Sequence, residues 1–389
     1  MSLELFETSR LGPLELRNRF VKAATFEGRS PRGEVTDELI EFHRTMAAGG
    51  VAMTTVAYLA VSADGRTDRH CVLLGDDSAP GLRRLADAVH EQGALLAAQL
   101  GHAGPVANGR SNGAPSLAPS KGFSAMGSRL HEVSVEGLQR IIEDFARGAR
   151  TAAAAGIDSL EIHMGHNYLI SSFLSPKLNK RIDDYGGSLE NRARLARQVA
   201  AAVRASVPSS VAVTVKLNMD DGVKGGLGLE EALEVALLLE ADGHLDALEL
   251  TGGSSLSNPM YLFRGDAPRK EFAKTLPVPL RLGFRIVGAK FMPVYPFEEA
   301  YFLPQAQVIA QQVSVPSILL GGVTRPATAR AALDQGFSYV ALGRALLMEP
   351  GIVNRWASGD EEPSGCTHCN KCMPTIYTGT RCVLTTPSR

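Results

Sequence analysis

The sequence predicts an α/β fold: a (β/α)8 TIM barrel with a helical insertion after the sixth strand and a short cysteine-rich C-terminal tail. Three observations carry that expectation. Eight short apolar runs alternate with longer helix-forming stretches, the stretches are bounded by capping residues, and one connection is too long to be a loop. The candidate strands are 19–24, 51–56, 95–100, 159–163, 211–217, 247–251, 317–321 and 339–342. Most are rich in Val, Leu, Ile and Ala without strict alternation, the pattern of strands covered on both faces in a parallel sheet.

The helices announce themselves at their ends. Thr36 precedes a helix over 37–48 that Gly49-Gly50 closes, and Ser78 precedes one that stops by Gly93. Ser134 opens an Ala-rich helix ending near Gly156, and Pro326 starts one that stops at Gly336. A hydroxyl can accept from the free N–H groups of a first turn, and Gly tolerates the left-handed residue that ends a last one. Between the sixth and seventh strands lie about 65 residues, too many for a structureless connection, so a helical insertion over about 252–304 is expected above the barrel mouth. The chain divides accordingly into a barrel, 1–356, and a tail, 357–389.

Composition narrows the function. Of 389 residues, 44% are apolar and 21% charged, enough for a large core and too few charges for disorder. Lys plus Arg is 40 against 41 for Asp plus Glu, so no charge excess draws the chain to nucleic acid or to an anionic membrane. No run is long and apolar enough to span a bilayer or to act as a secretion signal, which points to the cytoplasm. This leaves room for an enzyme acting on a small molecule, with a homo-oligomer as one option for its assembly.

Chemistry in such barrels gathers at the C-terminal strand ends. The fourth candidate strand ends in Glu161-Ile162-His163-Met164-Gly165-His166-Asn167-Tyr168. Imidazoles can donate to a carbonyl oxygen, and a phenol near pKa 10 can give up a proton while un-ionised at neutral pH. Spacing alone leaves three readings open: catalysis, core histidines, or a zinc site that lacks an evident third ligand. The third strand offers Gln99, whose amide can both donate to and accept from a flat heterocycle. The fifth carries Lys216, which could offset charge on a cofactor or pair with Asp220 or Asp221. The seventh and eighth end in Gly321-Gly322 and Gly343-Arg344, where backbone N–H groups and a guanidinium suit a phosphate.

Read together, these residues make the chain resemble the Old Yellow Enzyme family of NAD(P)H:flavin oxidoreductases, close to the barrel domain of 2,4-dienoyl-CoA reductase-like enzymes. The likeness covers about 4–355. It rests on NRFVKAAT at 18–25, QLGHAG at 99–104, EIHMGHNYLISSFLSP at 161–176, NKRIDDYGGSLENR at 179–192, LLGGV at 319–323 and ALGRALL at 341–347. The resemblance implies FMN as cofactor, NADH or NADPH as electron donor, and an unsaturated carbonyl compound (enone, enal or dienoyl type) as substrate. It places Ala24, Thr25, Gln99 and Lys216 around the flavin, Lys216 standing where relatives carry Arg, with Gly322, Gly343 and Arg344 at the phosphate. It gives His163 and His166 the substrate carbonyl and Tyr168 the proton transfer. Phe26 departs from the Thr or Cys that many relatives have there. Oxidation of an amine or carbonyl compound by the same flavin is an alternative, and a non-catalytic flavin- or metal-binding barrel is another. The second flavin and nucleotide domains of the larger relatives are not expected.

Four of the five cysteines fall in the tail: Cys366, Cys369, Cys372 and Cys382, spaced C-x2-C-x2-C-x9-C. Thiolates so spaced suit a 4Fe–4S cluster or zinc, and the larger relatives carry a cluster just past the barrel. A metal-free remnant is the third reading.

Overall fold

A computed structural model describes residues 4–124 and 128–385. Eight parallel strands close into a barrel: β1 (Phe20–Lys22), β2 (Met53–Ala60), β3 (Leu95–Gly101), β4 (Ser159–Met164), β5 (Ala212–Asn218), β6 (Ala247–Thr251), β7 (Ser317–Leu320) and β8 (Tyr339–Leu342). Sequence neighbours pair all the way round, and β8 closes on β1 through Val340–Phe20 and Leu342–Lys22. Each expected strand is present, shifted by at most four residues at its ends, the largest shift being the extension of the second strand to Ala60. The uniform burial of β4, β5 and β6 follows from helices outside and packed side chains inside.

The outer helices begin where their caps stand. Thr36 accepts from Leu39 N ahead of Asp37–Ala48, Ser134 from Gly137 N ahead of Val135–Ala154, and Ser188 from Asn191 N ahead of Leu189–Ser206. Helices Ala79–His90, Leu229–Ala241, Leu303–Ala310 and Pro326–Asp334 continue the ring. After β8, Ile352–Ala357 turns Trp356 inward against Phe20, with ring centroids 5.5 Å apart.

Two small sheets have no counterpart in the sequence reading. An antiparallel hairpin, Ser9–Leu11 with Leu14–Leu16, plugs the N-terminal end of the barrel, where Leu11, Leu14 and Leu16 pack against Val21, Ala97, Ala212, Ala247 and Tyr339. A three-stranded sheet of 116–118, 122–123 and 129–132 decorates the connection after β3. Strands of two to four residues are too short to show a period.

The expected insertion is helical. A 3-10 turn, Pro259–Tyr261, leads to helices Arg269–Thr275 and Val278–Phe291, which pack through Phe272, Phe284 and Phe291. The tail does not leave the barrel. Thr380 N donates to Glu27 O at 2.7 Å and the Thr380 hydroxyl to Phe26 O at 2.5 Å, while Asn370 Nδ2 donates to the carbonyls of Phe263 and Asp266. Loop 26–29, the insertion and the tail therefore meet at one rim. Gly28 is required there: φ is 61°, and a Cβ would lie 2.0 Å from Ile376 O.

Candidate active site at the barrel mouth

Strand alternation puts 97, 99 and 101 of β3, 161 and 163 of β4, 214, 216 and 218 of β5, and 247, 249 and 251 of β6 inside the barrel. The lowest of these layers is apolar, built on Ala97, Ala212 and Ala247. Directly above lies a charged one. Lys216 Nζ sits 2.7 Å from Glu249 Oε1 and 3.1 Å from Glu161 Oε1, and Gln99 Nε2 donates to Glu161 Oε1 at 2.6 Å. All four side chains are buried. Of the two alternatives for Lys216, pairing with Asp220 or Asp221 is excluded: the cation points into the barrel, where two carboxylates from adjacent strands meet it. Burial alone would lower the Lys216 pKa, but Glu161 and Glu249 raise it above its ordinary value. Glu249 moves up, because burial and the neighbouring Glu161 outweigh Lys216.

Above this layer the wall is small. Thr25, Ala57, Gly101 and Gly343 occupy the next inward positions, and a Cβ at Gly343 would meet nothing nearer than Thr25 Cγ2 at 3.9 Å. Ala24 and Thr25 leave β1 half-buried at the same level.

His163, His166 and Tyr168 come together at the end of β4. The His163 and His166 ring centroids are 5.2 Å apart, and His163 and Tyr168 meet edge-on at 4.5 Å. Tyr168 also meets Tyr58 of β2 edge-on at 5.6 Å. His166 Nε2 bonds Thr251 Oγ1 at 2.9 Å, while His163 Nδ1 is buried with no partner. Both imidazoles are held neutral. Burial lowers both; the nearness of His166 and of Lys216 adds to this at His163, and Lys216 lowers His166 further, to about 3. The zinc alternative at this pair finds no support: among the described residues no three His, Cys, Asp or Glu side chains are placed to hold one ion.

The turn that presents these groups is held from below. His166 and Asn167 both have φ of 58°, the left-handed region. Asn218 Oδ1 accepts from His166 N at 3.1 Å. Buried Asp221 accepts from Asn167 Nδ2, Asn218 Nδ2, the Ser175 hydroxyl and Leu227 N, at 2.6–3.0 Å. Thr251, Asp221, Glu161 and Glu249 escaped the sequence reading as site residues. For Glu161 and Glu249 the signal available was an ionisable side chain inside a short apolar strand, which a closed barrel must turn toward its axis and pair.

At the ends of β7 and β8, Gly322 lies against Tyr301, and Arg344 Nη1 donates to Arg264 O at 2.7 Å and to Asn370 Oδ1. Neither bond involves a carboxylate, and among the described residues no carboxylate forms an ion pair with this guanidinium. Cys366, Cys369, Cys372 and Cys382 line a single cavity with Arg344, Leu347 and Asn370.

A closed parallel barrel with a histidine pair and a tyrosine above a polar floor defines a cofactor-dependent barrel enzyme. The sequence profile of the NADH:flavin oxidoreductase / NADH oxidase family matches residues 4–249, and the chain belongs to that family. It is an oxidoreductase that works with flavin and nicotinamide. Over 382 residues it is 55% identical to the 4,4'-dithiodibutanoate disulfide reductase of Rhodococcus erythropolis, covering 98% of this chain and 94% of that one. It is 34% identical to a metal reductase of Desulforamulus reducens, covering 96% of this chain but only 52% of that protein. Among solved structures, the complex of 2-naphthoyl-CoA reductase with 2-naphthoyl-CoA superposes with a TM-score of 0.83 at 23% identity, over 98% of this chain and 57% of that one. An old yellow enzyme homologue from Zymomonas mobilis gives 0.74 at 22% identity, over 98% of this chain and all of that one. At these identities the structures support the fold. No helix among the described residues is long and apolar enough to cross a membrane.

Proposed function

We propose that the chain is an FMN-dependent NAD(P)H reductase of an activated carbon–carbon double bond, conjugated to a carbonyl group. The observation that carries the reading is the convergence of neutral His163, neutral His166 and Tyr168 over the buried Gln99–Glu161–Lys216–Glu249 layer. Bound FMN supplies two-electron transfer between nicotinamide and acceptor. The residues present fit it: a small-walled space over Gln99 and Lys216, and glycines with Arg344 for the phosphate.

The protein's part is binding, orientation and proton supply. His163 and His166 donate hydrogen bonds to the substrate carbonyl oxygen and stabilise the negative charge that develops there. Because both are neutral, each has one N–H to give. Tyr168 delivers its phenolic proton to the α-carbon as the β-carbon is reduced. Asn218 and Asp221 keep the turn rigid, and Lys216 holds a positive charge beneath the ring. An anaerobic absorbance spectrum tests this. It should show FMN that NADH or NADPH bleaches and an enone restores; a protein that cannot be reconstituted with FMN would refute it.

A second reading is favoured by the 55%-identical disulfide reductase. In it the acceptor is a small organic disulfide: two electrons cleave the S–S bond, one sulfur receives the hydride equivalent, and Tyr168 protonates the departing thiolate. Turnover of 4,4'-dithiodibutanoate without turnover of any enone selects this reading, and turnover of amines alone would remove both.

At the tail we propose a metal centre, an iron–sulfur cluster or zinc, held by Cys366, Cys369, Cys372 and Cys382. The support is that these four cysteines, close in sequence, line one cavity. A cluster binds each thiolate to a different iron and supplies one-electron transfer. Iron and acid-labile sulfide in the purified protein test the assignment.

A further inference from the structure

We infer that Arg264, from the insertion, supplies a second guanidinium for the phosphate group of FMN, beside Arg344. The inference rests on the FMN reading above and extends it to a residue outside the barrel strands.

Arg264 is an unusual cation. Its guanidinium carbon lies over three tyrosine rings, 5.5 Å from the centroid of Tyr261, 5.9 Å from that of Tyr295 and 5.2 Å from that of Tyr301. Its Nε is buried with no hydrogen-bond partner. Among the described residues no carboxylate forms an ion pair with it, whereas twelve other arginines have one. Aromatic faces attract a cation but leave its N–H donors unused. A half-buried guanidinium with idle donors and no counter-charge is poised for an anion.

Its backbone is fixed as firmly. The carbonyl of Leu262 accepts from Tyr301 Oη at 2.7 Å, that of Phe263 from Asn370 Nδ2 at 2.7 Å, that of Arg264 from Arg344 Nη1 at 2.7 Å, and that of Asp266 from Asn370 Nδ2 at 2.9 Å. Gly265, at φ 127°, lets the strand pass His368 O, which a Cβ would approach to 2.1 Å. Five successive residues are thus pinned to the tail and to the β7–β8 side of the mouth.

The place is the phosphate end of the proposed site. Tyr301 links its parts: its ring carries Arg264, it interacts with Arg344, and it packs against Gly322 at the end of β7. Two guanidiniums without carboxylates match the charge of a phosphate monoester, nearly −2 at neutral pH. The ligand class is therefore an organic phosphate monoester.

The test uses the full chain freed of flavin, titrated with FMN and separately with riboflavin by flavin fluorescence. Riboflavin has the same ring and ribityl chain but no phosphate. Arg264→Met keeps the stem between the tyrosines and removes the charge. The expected result is about a tenfold or greater loss in FMN affinity with riboflavin affinity unchanged, and partial rescue in Arg264→Lys. Equal losses for both flavins would assign Arg264 to packing and overturn the inference. An unchanged FMN-to-riboflavin ratio in Arg264→Met, with a lowered ratio in Arg344→Met, would overturn the inference while leaving the phosphate site standing. An unchanged ratio in both variants would remove the phosphate site itself. A raised KM for a carboxylated acceptor, with the flavin ratio unchanged, would give Arg264 to the substrate and also overturn it.

Discussion

Replacing Asp221 by Ala is the sharpest test of how the catalytic turn is built. The carboxylate is fully buried and accepts four hydrogen bonds. Asn218 Nδ2 keeps a second acceptor, Gly253 O at 3.0 Å, and the Ser175 hydroxyl can rotate. Asn167 Nδ2 and Leu227 N have no such alternative. Each stranded buried donor costs about 1–3 kcal/mol, so the variant should lose roughly 2–6 kcal/mol of stability. The damage should extend to chemistry. Asp221 and Asn218 help pin the left-handed backbone of Asn167 and His166, with Ser171 Oγ accepting from Asn167 N, and a displacement of about 1 Å at His166 can cost on the order of a hundredfold in rate. The assays are urea denaturation followed by circular dichroism, and stopped-flow measurement of the two half-reactions. Reduction of bound flavin by NAD(P)H should survive better than reoxidation by the acceptor. Asp221→Asn should lose less, since one oxygen remains for the two asparagine amides. A loss below about 1 kcal/mol with both half-reactions intact would refute the reasoning, because buried donors would then have found partners that the structure does not show.

Other expectations follow from the same geometry. Tyr168→Phe should slow acceptor reduction by about 10²–10⁴-fold and leave flavin reduction nearly unchanged in stopped-flow traces; equal losses in both would take Tyr168 out of the proton-donor role. With His166 at about 3 and His163 also low, the acceptor half-reaction should show no imidazole limb between pH 5 and 8; an inflection there that His166→Gln abolishes would contradict the neutral pair. Burial would raise Glu27, but Lys22 at 2.5 Å and His43 outweigh it and hold it at about 2. A lowered carboxylate contributes stability that is complete above its unfolded value of 4.5 and lost as pH falls toward about 2, here about 3 kcal/mol. Glu27→Gln should therefore be less stable than the wild type at pH 7 and converge with it near pH 2 in thermal unfolding.

The barrel was legible because its signals are local and redundant. Thr36 and Ser134 cap by contacts three residues away, and strands buried on both faces read as continuous apolar runs. Gln99, His163, His166 and Tyr168 were also within reach, since all sit at strand ends. What stayed hidden depends on contacts distant in sequence. Near Lys216 the sequence offers Asp220 and Asp221 as possible partners, yet the partners lie 33 residues on, at Glu249, and 55 residues back, at Glu161. The tail read as an appendage because nothing in Asn370 or Thr380 announces Phe263, Asp266, Phe26 and Glu27 as their partners. Hairpins of three-residue strands carry no periodicity at all.

The charged layer under the mouth is better understood as placement than as stabilisation. Removing one cation and two carboxylates from water costs several kcal/mol per ion, and mutual attraction seldom returns more than that. An all-apolar filling like the alanine layer below would be the more stable choice. What the ions add is a fixed direction of charge. Lys216 is tied on two sides, by Glu161 and Glu249, so its ammonium cannot swing away as charge develops above it. Glu249, pushed up by burial and by Glu161, carries a proton more readily than an ordinary carboxylate and so leaves more of the Lys216 charge uncancelled. Gln99, anchored to Glu161 through its amide nitrogen, is left with its carbonyl oxygen for other bonds. A lysine and an amide held this way offer a donor and an acceptor at set positions before any cofactor binds, so no reorganisation is needed when it does.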